Sequence, residues 1–372
     1  MSTDRTCARV DLDAIRANVA ELARRTPALI MAAVKADAYG HGMVPAAQAA
    51  LAGGARWLAV AFVEEALTLR AAGITAPVLS MIATPEERLA DAVSAGIDLT
   101  VGASWLLAEV IAAAEATGRP ARIQLEVDTG LSRGGATAAA WPDLLDAVLK
   151  AGDAVEVIGI WSHLACSDEP DHPANARQLA AYTAALDIAK ARGVVPQLRH
   201  LANSGGLLSL PQTHFDAVRP GIAVYGVPPG PAADMTGLTP AMTLLSRVAK
   251  VKRIAAGTGV SYGLSHVAPH DTGLALVPLG YGDGIPRHAS SRGEVLLGGR
   301  RRPIVGRVCM DQFVVEVGDD AVHAGDEVVV FGPGLDGEPT AYEWGEAVGS
   351  IGYEIVTRIG PRVPRVYVGA GS

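Results

Sequence analysis

From residue 11 to about 225, short apolar runs rich in β-type residues alternate with longer alanine-rich stretches whose polar and apolar positions recur at helical spacing. The apolar runs fall at 28–35, 57–62, 76–82, 96–101, 121–127, 155–163, 196–203 and 214–219. Helical stretches lie between most of them: Val63 to Gly73, Glu86 to Gly96, Trp105 to Gly118, Ala139 to Gly152 and Asn175 to Gly193. Each closes on a glycine, the residue that ends a helix in the left-handed conformation without steric penalty. Eight strands with intervening helices predict an α/β fold, a (β/α)8 TIM-type barrel over residues 9–235. An open doubly wound sheet is the competing architecture, and it is disfavoured because no GxGxxG opens a helix after the first strand.

The pattern changes after about residue 235. Short β-type runs such as Leu274 to Pro278, Phe313 to Val317 and Glu327 to Phe331 are separated by glycine-rich turns, with one late helix near Tyr342 to Val348. We expect a second, mainly β domain over 236–372, reached through the proline- and glycine-rich stretch Pro228 to Gly237 and joined by residues 1–8.

A formal net charge of -8, with Arg300 to Arg302 as the only basic run, argues against nucleic acid or an anionic membrane surface as partner. Three widely spaced cysteines with no CxxC pair suggest reduced thiols. No apolar signal core opens the chain and no run is long enough to span a bilayer, so the expectation is a soluble cytoplasmic protein acting on small molecules.

Only five lysines occur, and Lys35 alone sits at the end of an apolar run, in AVKADAYGHG. In a barrel the working face is the C-terminal end of the strands, which gathers residues distant in sequence. Lys35 then meets Arg133 after strand five, His163 after strand six, Asn203 and Ser204 after strand seven, and Arg219 after strand eight. Taken singly, His163 reads as a core histidine and Arg219 as a carboxylate partner. Together at matching strand ends they are hard to explain as packing. The stretches Asn203-Ser204-Gly205-Gly206 and Pro220-Gly221-Ile222 offer backbone N–H groups, a hydroxyl and glycines where TIM barrels bind phosphate, with Tyr39 as a further phenolic donor. A lysine beside such a site suits pyridoxal 5'-phosphate held as a Schiff base.

The chain resembles alanine racemases along its whole length. The segments AVKADAYGHG, VDTGLSRGG, WSHLACSDE, HLANSGG, VRPGIAVYG, GVSYG, LGYGDGIPR, VCMDQF and YEIVTRIGPRVPR follow in that family's order. The resemblance implies that Lys35 holds the cofactor, that Tyr39, Ser204, Gly221, Ile222 and Tyr353 surround its phosphate, and that Arg219 faces the pyridine nitrogen. It implies two proton carriers on opposite faces of the substrate, Lys35 and Tyr262, with His163 tuning the tyrosine. Arg133 and the backbone N–H of Met310 are expected to receive the substrate carboxylate, and Tyr281 and Tyr353 to narrow the entrance. Tyr262, Met310 and Asp311 are expected to come from the partner subunit of a homodimer.

One position departs from the family pattern. Many relatives carry a carbamylated lysine two residues before the aspartate of VDTG, and this chain has Glu126, which is expected to supply the same negative charge to Arg133 from a shorter side chain. The resemblance leaves open a racemase of serine or of broader specificity. An amino-acid decarboxylase of related architecture is opposed by Arg219 at the ring-nitrogen position. A lone-barrel pyridoxal phosphate carrier is opposed by the second domain with its GVSYG.

Overall fold

The computed structural model describes residues 5–369. Eight strands, Leu29–Ala33, Trp57–Val60, Val78–Ser80, Asp98–Val101, Ala121–Glu126, Val155–Trp161, Leu198–His200 and Ala217–Val218, pair in parallel with their sequence neighbours. The eighth pairs with the first and closes the barrel. Each strand lies inside its expected run but is shorter. Lys35, His163, Asn203 and Ser204, and Arg219, expected to close strands, instead stand one to four residues beyond them in the loops of the C-terminal face. Their polar side chains turn to the barrel mouth, and the ladder ends before them.

Side chains alternate across each strand, so every second residue fills the barrel interior. One half of that interior is apolar and small, with Met31, Ala33, Ala59 and Leu79 clustered together. The other half is polar, with Asp98, Gln124 and His200 fully buried. On the outside, Trp141 and Tyr182 are buried beneath the helices, the indole donating to the Ala185 carbonyl at 2.9 Å and the phenol to that of Ile160 at 2.6 Å.

The second domain is a six-stranded sheet, a three-stranded sheet and a two-stranded ribbon. Strand Thr6–Asp11 belongs to its larger sheet, antiparallel to Met242–Arg247 and parallel to Arg365–Val368. The chain therefore threads this sheet before entering the barrel, and the expected boundary at residue 9 falls inside that strand. Residues 1–4 of the expected N-terminal contribution lie outside the described residues. The late helix Ala341–Val348 begins at a reciprocal cap between Thr340 and Glu343. A second helix, Gly352–Thr357, corrects the expectation of a single one: at six residues it carries too little periodicity to be seen in sequence. It packs against the Lys35 turn and brings Tyr353 into the barrel mouth, where Gly40 has no room for a Cβ beside the Val356 carbonyl.

Candidate active site

Lys35 opens a turn with the reverse hand of an ordinary helix. Ala36, Asp37, Ala38 and Tyr39 all have φ between 51° and 55°. For L-residues the left-handed region is unfavourable by roughly 1–2 kcal/mol each, so the turn stands only because its surroundings over-determine it. The Glu65 carboxylate accepts from the amides of Ala36 at 2.6 Å and Ala61 at 2.7 Å. Asp37 accepts from Met43 N–H at 2.7 Å, and the Arg365 Nε–H donates to the Gly40 carbonyl at 3.0 Å. The turn brings Lys35 and Tyr39, four residues apart, to the same cavity. Burial lowers the Lys35 amine, reinforced by the charges of Arg133 and Arg219 and opposed by Glu65. The shift is towards the neutral, nucleophilic form.

A cavity of about 760 Å³ at the barrel mouth is lined by Lys35, Tyr39, Glu126, Arg133, His163, Asn203, Ser204, Arg219, Gly221, Ile222 and Tyr353, together with apolar residues that include Trp105 and Leu106. At one end, Ser204 heads the helix Ser204–Ser209 and Gly221 precedes the 3-10 turn Ile222–Tyr225, so two sets of backbone N–H groups converge there. The Ser204 hydroxyl accepts from Gly221 N–H at 2.9 Å. A Cβ at Gly221 would collide with the Tyr39 hydroxyl, which makes glycine a requirement of this cradle. Tyr39 packs between Tyr225 and Tyr353, with ring centroids 5.2 and 6.2 Å away, and burial pushes its phenol up to about 12, so it is a donor at neutral pH. Asn203 caps the helix through Gly206 N–H at 3.0 Å and accepts from the Ser167 hydroxyl at 2.7 Å.

Arg219 is 4% exposed. Its guanidinium lies over the Trp161 ring at 4.6 Å and donates to His200 Nδ1 at 2.6 Å, to the Ser162 carbonyl at 2.9 Å and to His163 Nδ1 at 3.1 Å. Burial draws it down to about 10, with Glu126 opposing, so it stays charged at neutral pH. A guanidinium has five N–H groups and three are spent here, which leaves two donors in a residue that lines the cavity. His163 is held well below its ordinary value by burial and then by the Arg219 charge. Accepting at Nδ1, the neutral ring carries its proton on Nε2 as a donor.

Asp128 shapes the loop before Arg133, accepting from Gly130 N–H at 2.9 Å and Ser132 N–H at 3.0 Å. The expected contact between Glu126 and Arg133 is longer than proposed. Among the described residues no ion pair joins them within 4.0 Å, and the carboxylate lies where a Cβ on the adjacent Gly134 would be only 2.8 Å from it. The glutamate side chain ends before the guanidinium, and the Arg133 charge acts on it through space. Burial dominates and raises the Glu126 carboxyl to about 7. The folded protein then binds this proton more tightly than the unfolded chain, so stability is full at low pH and declines as pH rises from about 4.5 through 7. In cofactor-free protein, Glu126→Gln is expected to remove a pH-dependent loss of at most about 3 kcal/mol, read as the difference in urea stability between pH 5 and pH 8. An unchanged difference would show that the carboxyl is not buried as described.

Tyr262, Tyr281, Met310 and Asp311 do not line this cavity. Tyr262 is 71% exposed at the tip of a turn in which Ser261, Gly263 and Leu264 have positive φ. Tyr281 and Met310 are exposed as well, and backbone bonds tie their segments together, with Tyr281 N–H donating to the Cys309 carbonyl at 3.0 Å and Gly282 N–H to that of Met310 at 2.8 Å. Asp311 accepts from Arg362 at 2.8 Å.

The N-terminal domain model of alanine racemases matches residues 10–229, and their C-terminal domain model matches residues 241–367. The chain belongs to the alanine racemase family. The alanine racemases of Frankia casuarinae and Thermobifida fusca are each 57% identical to it, over 98% of this chain and 96% and 98% of theirs. The crystal structure of alanine racemase from the D-cycloserine-producing Streptomyces lavendulae superimposes with a TM-score of 0.98 at 52% identity, covering 100% of this chain and 98% of that one. The protein is thus an isomerase, an amino-acid racemase. Among the described residues no helix is long and apolar enough to cross a membrane.

The residues that hold this site in place are not marked in the sequence. Glu65, Gln178 and His200 lie in helices or strands where they read as ordinary polar positions. Gln178 donates to the His163 carbonyl at 2.9 Å and accepts from Ala165 N–H at 2.8 Å, fixing the loop that carries the histidine. His200, inside the HLANSGG segment, was detectable as a histidine closing a short buried strand. Glu65→Gln is expected to destabilise the fold by about 1–3 kcal/mol, because both carboxylate oxygens accept from amides and a glutamine must turn its NH2 towards one of them. Chemical denaturation measures this, and a change below ~0.5 kcal/mol would contradict the bonding described.

Proposed function

We propose that the protein interconverts L- and D-alanine with pyridoxal 5'-phosphate at the barrel mouth, using Lys35 and Tyr262 as proton carriers from opposite sides. The observation that carries the reading is the convergence on one cavity of a buried amine, a glycine-walled anion cradle and a buried arginine with two unspent donors.

These residues fit the cofactor. Ser204, the N–H groups of Ile222 and, once released from the Ser204 hydroxyl, Gly221, and the hydroxyls of Tyr39 and Tyr353 would hold its phosphate, Lys35 would anchor it, and Arg219 would meet its ring nitrogen. Asn203 serves by capping the helix that carries Ser204. When bound, the cofactor supplies an electron sink that weakens the Cα–H bond of an attached amino acid. Arg219 limits that sink, because a charged guanidinium can only donate and leaves the ring nitrogen without a proton. Return of the proton to Cα is then favoured over its loss elsewhere.

Lys35, with a lowered amine pKa, moves a proton on one face. Tyr262 of the partner subunit moves it on the other. The Nε2–H of His163 donates to the Tyr262 oxygen and makes that phenol a better base. Arg133 and the Met310 N–H of the partner subunit take the substrate carboxylate, while Tyr281 and Tyr353 narrow the entrance to favour a methyl side chain. Asp311, paired with Arg362, positions the Met310 loop. Such a site needs a homodimer. The broader role is supply of D-alanine for peptidoglycan in the cytoplasm.

Purified protein should show a visible absorbance band that borohydride bleaches, and racemise alanine faster than serine or larger amino acids. A preference for serine would move the substrate assignment, and absence of the band would remove the cofactor. The cradle gives a narrower test: Gly221→Ala should weaken cofactor retention by about tenfold or more on dilution, since its methyl displaces the Tyr39 hydroxyl. Unaltered retention would place the phosphate elsewhere.

A further inference from the structure

Arg219 stands at the end of a buried hydrogen-bonded chain that crosses the barrel interior. His200 Nε2 lies 2.7 Å from Gln124 Oε1, and Gln124 Nε2 donates to Asp98 Oδ2 at 2.7 Å. Asp98 also accepts from Trp57 Nε1 at 3.0 Å and from Arg122 Nε at 2.7 Å. Asp98, Gln124 and His200 are all 0% exposed.

The direction of every bond follows from the two ends. A guanidinium only donates, so His200 Nδ1 must accept and its proton must sit on Nε2. An ionised carboxylate only accepts, so the Gln124 amide must turn its NH2 to Asp98 and its oxygen to His200. The two requirements agree, and each group in the chain is satisfied. The backbone makes room for it. The pairing of Ala121–Glu126 with Val155–Trp161 slips between Ile123 and Gln124, placing Gly159 opposite Gln124, where a Cβ would be 2.8 Å from the amide oxygen. The Trp161 ring stacks on His200 at 5.9 Å and 9° while also lying under Arg219.

We propose that Asp98 and Gln124 are positioning residues for Arg219, locking His200 in the Nε2–H form so that Arg219 keeps its place and its two unspent donors. This rests on the reading in which Arg219 faces the cofactor's ring nitrogen. A leucine at position 98 takes away the acceptor that holds the Gln124 NH2, which frees that amide to turn and donate to His200 Nε2. The imidazole proton then moves to Nδ1, against an Arg219 N–H, and the Arg219–His200 bond is lost. With the guanidinium displaced, the ring nitrogen of a bound cofactor would be open to a proton from water, and more turnovers would end in transamination.

The test uses full-length holoenzyme labelled with [15N]histidine, with His200 assigned by difference against His200→Phe. In the parent enzyme the Nδ1 signal is that of an unprotonated acceptor and the Nε2 signal that of N–H. Asp98→Leu should interchange or average the two, and raise the ratio of transamination to racemisation by about tenfold. Gln124→Met, which cannot accept from His200, should perturb the same signals and serves if Asp98→Leu does not fold. Trp141→Phe loses a comparable buried bond to the Ala185 carbonyl outside the barrel, and should lower stability while leaving both readouts unmoved. His200 signals that stay unchanged in a folded Asp98→Leu or Gln124→Met variant would overturn the proposal. Signals that move while the ratio stays constant would uphold the positioning of Arg219 and overturn instead its assignment to the ring nitrogen.

Discussion

Lys35→Ala is expected to reduce racemisation to background in both directions, a loss of at least about 10³-fold, and to abolish the visible absorbance band together with it. No other lysine lines the cavity. Lys150 and Lys190 lie on helices outside the barrel and Lys250 and Lys252 on a strand of the second domain, so no second amine can take over. Lys35→Arg should fail as completely, although it keeps the charge. A guanidinium stays protonated near neutrality and cannot act as nucleophile or base, whereas the buried amine has its pKa lowered towards the range where both tasks are possible. Retention of activity within about tenfold in either variant would remove Lys35 from the chemistry.

The parts of this molecule legible in its sequence are those written in a repeating local code. Strand and helix runs alternate at periods that local sterics enforce, and the barrel follows from their count. Even the two-residue last strand is recoverable, because Leu29 and Ile30 need a partner to close the cylinder. The site residues that face the cavity are also legible, since a lysine after an apolar strand or a glycine pair after a histidine strand is locally odd. The supports are not. Asp98 and Gln124 become a bonded pair only when the two neighbouring strands that carry them stand in register, a property of two segments jointly. The left-handed turn at 36–39 is equally hidden: no glycine occupies those four positions, and the strain is held by Asp37 within the turn and by Glu65 and Arg365 from two distant parts of the chain. Glu126 shows the limit of matching charge alone. It carries the expected sign at the expected position, and its side-chain length decides that it stops short of Arg133.

Mixing two inactive variants is expected to restore activity. On the proposed reading, Lys35→Ala lacks the carrier in the barrel, and Tyr262→Phe lacks the one on the second domain and should be crippled while keeping the absorbance band. If each site joins the barrel of one subunit to the second domain of its partner, a heterodimer of the two variants holds one site with both lesions and one with none. Random exchange in a two-fold dimer makes half of the dimers heterodimers, so the mixture should recover about a quarter of the parent activity. The structure gives the physical basis: Tyr262 is 71% exposed, and Met310 and Tyr281 stand exposed beside bonded glycine turns that would be costly to rearrange within one chain. A site completed within a single subunit predicts no recovery at any mixing ratio. Recovery should also require subunit exchange, so activity that returns slowly, at a rate set by dissociation of each variant's own oligomers, would tie Tyr262 to the partner's site.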